Sequence, residues 1–184
     1  MKVRNGKGIS FMVRCHNEEA TIGESLDSLK GLSVDHEIVV ILHRCTDRSK
    51  EIVESKVEEG MPIKIVEFDT PTSLAGYQTL VTPKNHKNSF ITYSRFSLNQ
   101  CSNHWLFKWD SDFFCTDELR KFLNDLPERS EQGIRYKMFA VLGEKRNRES
   151  YLTNCIFSFQ KHIFWEVPFY YVGSKVIDTG IDIM

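Results

Sequence analysis

No stretch of this chain is long and apolar enough to cross a bilayer. Its longest uninterrupted aliphatic run, Ile38 to Leu42, falls far short of the roughly 20 residues that a membrane-spanning helix needs. The first residues lack the apolar stretch of a signal peptide. Excess charge of either sign is missing too. Lys and Arg number 24 against 25 Asp and Glu, a net charge of -1, so no field exists to draw in nucleic acid or an anionic membrane. Cysteines at metal or redox spacing are absent. Cys15, Cys45, Cys101, Cys115 and Cys155 are odd in number and widely spaced, which fits reduced thiols in the cytoplasm rather than disulfides or zinc. Repeats, low-complexity tracts and linkers are lacking as well, so the whole of residues 1–184 is expected to form one domain. What remains is 21.5 kDa of chain, 41% of it hydrophobic, enough for a soluble domain that buries about 70% of its unfolded surface.

The apolar residues fall into an alternating order. Gly8 to Arg14 reads as a strand, and Ile22, Leu26 and Leu29 recur at helical spacing before Gly31. Glu37 to Leu42 is a β-branched run of the kind buried on both faces of a parallel sheet. A second helix is expected after it, capped by Thr46, striped by Ile52, Val53 and Val57 and stopped by Gly60. Ile63 to Phe68 supplies a third strand, residues 69–88 a long loop, Phe90 to Gln100 a helix and Trp105 to Trp109 a further strand. Thr116 can cap a helix that turns Leu119, Phe122, Leu123 and Leu126 inward. Tyr136 to Leu142 and Asn154 to Phe159 read as strands separated by a polar loop, Glu144 to Ser150. Strands alternating with helices imply parallel pairing, and ligands of such sheets sit outside the carboxyl ends of the strands.

Asp110 and Asp112 stand at that end of the Trp105–Trp109 strand, one residue apart. On extended backbone both carboxylates would point to one side, and two hard oxygen donors there suit Mg²⁺ or Mn²⁺ shared with phosphate oxygens. The pair alone says little, since ten aspartates among 184 residues give about 0.5 such spacings by chance. Its place between an apolar strand and a capped helix is what singles it out.

Three motifs in order, over roughly residues 8–125, carry a resemblance. Ile9 to Arg14, running into Asn17-Glu18-Glu19 and the Ile22/Leu26/Leu29 helix, resembles the opening of family 2 glycosyltransferases. Ile38 to Ser49 looks like that family's second strand and acidic turn, with Thr46 and Asp47 matching. Tyr93-Ser94-Arg95, a short helix and Trp105 to Asp112 resemble its arginine helix and metal-binding D-x-D. The resemblance implies an α/β fold of GT-A type, a single domain with a central, mostly parallel sheet flanked by helices. It also implies transfer of a sugar from a UDP- or GDP-sugar to a hydroxyl of a glycan or other acceptor, with inversion. Residues 1–112 would be the Rossmann-like nucleotide-sugar-binding half and 113–184 a minimal or shortened acceptor-side half. Arg14, Asn17, Glu18, His43, Arg95 and Asp110 would hold the nucleotide-sugar, and Asp110 and Asp112 the metal.

This chain departs from the pattern in the second motif. Leu42 and His43 stand where the family has an aspartate reading the base, and Arg44 and Arg48 replace glycines of that turn. The acceptor also needs a carboxylate base on the opposite face of the sugar. The segment Val176 to Asp182 loosely resembles the family's acidic motif, which makes Asp178 the first candidate and Asp182 the second. Two other classes compete: a transferase-like domain that binds nucleotide or glycan with weak or no turnover, and a phosphate-ester hydrolase, for which no nucleophile motif is present.

Overall fold

The computed structural model describes residues 6–73, 81–83, 86–125, 134–142, 146–158, 164–165, 169–172, 175–178 and 182–183. In chain order the elements are β1 (Gly6–Cys15), α1 (Ile22–Asp27), β2 (His36–Leu42), α2 (Ser49–Glu58), β3 (Ile63–Glu67), α3 (Phe90–Asn99), β4 (Asn103–Asp110) and α4 (Asp117–Asn124). Then come β5 (Ile134–Leu142), β6 (Arg146–Ser158), β7 (Phe164–Trp165), β8 (Phe169–Val172), β9 (Lys175–Asp178) and β10 (Asp182–Ile183).

The main sheet has the order β3-β2-β1-β4-β6-β5. Its first four strands are parallel, and β6 and β5 extend it antiparallel. Period-two alternation explains why the middles of β1, β2 and β4 carry mostly apolar residues on both faces. Ile9, Phe11, Val13, Ile38, Val40, Leu42, Trp105, Phe107 and Trp109 face Ile22, Leu26, Val53 and Leu123 of the helices on one side. Met12, Val39, Ile41 and Leu106 face Ile91, Tyr93 and Leu98 of α3 on the other. A strand buried on both faces reads as a near-continuous apolar run rather than an alternating one, broken here by the buried Ser10 and His104. Phe107 stacks on Phe11 at 5.4 Å between centroids and meets Trp109 edge-on at 5.2 Å, and each such fully buried ring is worth about 1.5–3 kcal/mol by area alone.

Polar contacts set the register at the amino ends of the strands. The Glu37 carboxylate accepts from the Ser10 hydroxyl (2.5 Å) and from the Ser102 amide and hydroxyl (2.5 and 2.8 Å), and the Asn103 amide donates to Ser10 Oγ at 3.0 Å. Burial pushes the Glu37 carboxyl up, but the hydrogen bonds from Ser10 and Ser102 outweigh it and hold the group below the usual Glu range. Gly8 sits at φ 132°, and a Cβ there would lie 2.1 Å from the Asp35 carbonyl oxygen. That oxygen accepts the Ile9 amide at 2.9 Å, so the approach that requires glycine also ties β1 to the turn before β2.

Several expectations shift. Thr46 does not cap α2, which starts at Ser49. Asp47 serves that end instead, accepting the Ser49 amide at 3.0 Å, while the Thr46 amide and hydroxyl are taken by Asn17. Thr116 does cap α4, accepting from the Leu119 amide. Val57 and Phe122 lie 39% exposed rather than inward, because the helix faces that meet the sheet are narrower than the apolar stripes. Arg146 to Ser150 belong to β6, pairing with the end of β5, and not to a loop. An antiparallel hairpin can present a face to water, so polar residues need not end a strand. Leu126 and Glu144 lie outside the described residues.

Candidate functional site

The strand order reverses at β1: β2 and β3 lie on one side and β4 on the other. In open α/β sheets the carboxyl-end crevice at such a reversal is where ligands bind. Arg14 and Asp110 are register partners there, so β1 and β4 deliver the loop 16–21 and the turn 111–116 at the same level.

Arg14, half-buried, lies against α3. Its guanidinium carbon sits 4.9 Å from the Phe90 ring centre and 5.9 Å from that of Tyr93, and Nη1 is 3.4 Å from Ser94 Oγ. The two aromatic faces pack on the guanidinium and hold a cation at the crevice. Arg95 follows on the same helix and is half-buried.

β4 ends at Asp110, and the Phe113 amide donates to the Asp110 carbonyl at 3.0 Å. Asp112 therefore stands in a turn and not on extended backbone, so the alternation argument stops one residue short of it. Lys108 Nζ lies 3.7 Å from Asp110 Oδ1, while Asp112 is exposed. Across the crevice Glu18 is pushed above the usual carboxylate range, first by burial and then by the negative charge of Asp112. The two loops thus bring acids together. Asp110 and Asp112 offer hard oxygen donors, the set that suits Mg²⁺ or Mn²⁺. Among the described residues no group of three or more His, Cys, Asp or Glu side chains could hold a metal ion by itself, so further ligands of such an ion have to come from water or from a diphosphate.

The loop after β1 is locked to the one after β2. Asn17, at φ 58°, accepts the Thr46 amide at 2.7 Å and donates to the Thr46 hydroxyl at 3.2 Å. The Glu18 amide donates to Ser49 Oγ (2.8 Å) and the Glu19 amide to Asp47 Oδ2 (2.9 Å), and the Glu19 carboxylate accepts from the Arg48 amide and Nε. Arg44 keeps a left-handed φ of 50° although glycine does not occupy the position.

His43 closes the far side. Its ring packs against Tyr93 at 4.9 Å and Phe68 at 5.8 Å, and Nε2 lies 3.1 Å from the Thr70 carbonyl and 3.4 Å from Thr72 Oγ1. A carbonyl only accepts, so Nε2 carries the proton and Nδ1 is left as the acceptor. Burial, together with the neighbouring His16 and Arg44, lowers its pKa against the opposing pull of Thr70, which keeps the ring neutral at pH 7. His16 Nδ1 in turn lies 2.6 Å from the His43 carbonyl and donates to it.

The structure thus brings Arg14, Asn17, Glu18, His43, Asp110 and Asp112 to one end of the sheet. Asp178 and Asp182 lie on strands that are not part of the main sheet. Asp178 ends β9 opposite Phe169 of β8, and Asp182 starts β10 opposite Trp165 of β7, in two-stranded ladders separate from the main sheet. Phe90, Ser49 and Thr70 were not singled out from the sequence, and Ser94 only as a member of the Tyr93-Ser94-Arg95 motif. Ser49 ends the second motif and could have been, whereas nothing near Thr70 marks it.

No protein-family model matches the chain. The lipopolysaccharide core biosynthesis glycosyltransferase LpsC of Rhizobium meliloti (strain 1021) is 27% identical over 130 residues, covering 71% of this chain and 41% of its own length. Solved structures with similarity are TarS 1–349 of S. aureus, 23% identical with a TM-score of 0.46 over 62% of this chain and 30% of that one, and the mannosyltransferase PcManGT of Pyrobaculum calidifontis in complex with GDP-Man and Mn²⁺, 15% identical with a TM-score of 0.46 over 67% and 34%. A third is the glucosyl-3-phosphoglycerate synthase of Mycobacterium tuberculosis in complex with UDP, 24% identical with a TM-score of 0.40 over 59% and 35%. The chain therefore spans well under half the length of the proteins it matches. The family resemblance carried by its motifs agrees with a curated relative that is itself a glycosyltransferase.

Proposed function

We propose that the chain is a glycosyltransferase domain that takes a sugar from a UDP- or GDP-sugar and passes it, with inversion, to a hydroxyl of a glycan or other acceptor. The observation that carries this is the convergence of Asp110, Asp112 and Glu18 beside the aromatic-backed Arg14 at the β1/β4 reversal. The likeness to LpsC over 71% of the chain supports it.

Each residue has a distinct task. Asp112, with Asp110 beside it, would hold a divalent cation, Mn²⁺ or Mg²⁺, which supplies charge neutralisation to the diphosphate leaving group. Arg14 and Arg95 offer cationic donors to phosphate oxygens. His43 presents its Nδ1 acceptor to a base or ribose, and Asn17 and Glu18 shape the loop between. The acceptor proton goes to a carboxylate, Asp178 first and Asp182 second. Residues 1–112 form the donor half and 113–184 the acceptor half of one domain. The four described cysteines other than Cys155 are free thiols, the state that a cytoplasmic protein keeps. No helix of the described residues is long and apolar enough to cross a membrane.

A binding domain without turnover is the second reading. It is favoured by the neutral His43 where an aspartate is expected and by the separate ladders that carry Asp178 and Asp182. A thermal-shift series with UDP, GDP and their sugar conjugates, each with Mn²⁺ or with chelator, tests the proposal on the wild type and Asp178→Asn. A Mn²⁺-dependent rise in Tm for one base series is expected in both proteins, with sugar transfer by Asp178→Asn cut at least about 10²-fold. No shift with any of these compounds would overturn the proposal. Binding without transfer in the wild type would establish the second reading.

A further inference from the structure

Cys15 ends β1 and is 1% exposed, inside the core cluster that Phe11, Val13 and Leu42 share. Cys45, half-buried and packed on the edge of the same cluster, lies just past β2. Its Sγ donates to the Cys15 carbonyl at 3.5 Å. Both are free thiols. Cys15 lies two residues before Asn17 and Cys45 one before Thr46, the pair whose hydrogen bonds join the two loops.

We propose that Cys15 and Cys45 are an exchangeable thiol pair that closes to an intramolecular disulfide on reaction with a low-molecular-weight disulfide, drawing the loop after β2 inward and weakening donor binding. The effect on the donor rests on the function proposed above; the thiol chemistry does not. Cys45 is the attacking sulfur because it alone of the two reaches solvent. Its thiolate displaces one thiolate from the small disulfide and forms a mixed disulfide. Cys15 then loses its proton to solvent and attacks the Cys45 sulfur, and the second small thiolate leaves. Two protein thiols are oxidised, and one small disulfide becomes two small thiols.

The surroundings favour that order. Burial, and then the neighbouring Cys45, push the Cys15 thiol up to about 12, so it stays protonated while Cys45 is free. Once capped, Cys45 no longer opposes the Cys15 thiolate, which the hydrogen bond from Ser49 favours and which resolves the adduct. For the disulfide to form, the Cys45 sulfur must leave the Cys15 carbonyl and turn into the core. Residues 44–47 then follow it, starting from the left-handed Arg44, and Thr46 is pulled off Asn17.

The test equilibrates the full chain with oxidised and reduced glutathione at a series of ratios. Free thiols are then alkylated and the crosslinks mapped by mass spectrometry, with amide exchange followed over residues 43–48 and UDP and GDP affinities measured with Mn²⁺. A Cys15–Cys45 crosslink reversed by dithiothreitol is expected, with altered exchange over 43–48 and a Kd for the bound nucleotide raised at least fivefold. Cys45→Ser should keep the reduced protein's affinity at every ratio. A persistent glutathione adduct on Cys45, a crosslink elsewhere or none at all would overturn the thiol pair. A Cys15–Cys45 crosslink with unchanged exchange and affinity would overturn the loop movement. If the reduced protein binds neither nucleotide, the proposed function fails, and the crosslink and exchange data still decide the thiol pair.

Discussion

Glu18 stands where the two functional loops face each other, and its ionisation works against the fold. Burial and the Asp112 charge raise its pKa above the ordinary 4.5. A carboxyl raised in the folded state favours folding while it is protonated, and that contribution is lost as pH rises through the raised value. Glu18→Gln should therefore raise Tm relative to wild type at pH 7 to 8 in metal-free buffer, with the two proteins converging below about pH 4.5. Equal Tm values across the range would mean that Glu18 feels neither its burial nor Asp112. Much at this scale was legible beforehand. Arg14, Asn17, His43 and Asp110 were named from motif positions, and all reach one end of the sheet. What could not be read was partnership: that Thr46 serves Asn17 rather than α2, or that Thr70 fixes the His43 tautomer, since these bonds join residues 27 to 29 positions apart with no local signal.

At the scale of elements, tight approaches near the ends of the strands set where the site-bearing loops fall. Trp109 Nε1 donates to the buried Ser25 Oγ at 3.0 Å and pins the end of β4 to α1, next to Asp110. Arg120 donates to the Ser28 carbonyl at 2.7 Å and also to that of Lys30, and Asn124 Oδ1 accepts the Ser33 and Val34 amides, so α4 is fastened to the turn after α1. Gly8 is the tightest of these points. Gly8→Ala places a methyl carbon against the Asp35 carbonyl at a φ that side chains avoid, and denaturant unfolding should show a loss of at least about 1–3 kcal/mol. An unchanged midpoint would mean that β1 and the turn before β2 can separate without cost. The strands and helices up to Asn124 were legible because their apolar periodicity is uninterrupted. The β5–β6 hairpin was half hidden, because the polar run Arg146 to Ser150 reads as a loop until its ladder partners are known.

For the molecule as a whole, the four parallel strands of the main sheet and the helices that flank them were foreseen from the alternation of elements, and the order places β1 and β4 side by side at the reversal. The strand pairs that follow β6 were not foreseen in this form. Short pairs of strands, β7 with β10 and β8 with β9, carry no periodic signal long enough to read. The central claim is that this reversal binds a nucleoside diphosphate through a cation on Asp112, and calorimetry tests it most directly. UDP and GDP are titrated into wild type and Asp112→Asn, each in Mn²⁺ and in chelator. Wild type should bind one of the two at least about tenfold tighter with Mn²⁺, a difference of roughly 1.4 kcal/mol, and Asp112→Asn should bind equally weakly with and without the metal. Undiminished Mn²⁺-dependent binding by Asp112→Asn would contradict the claim.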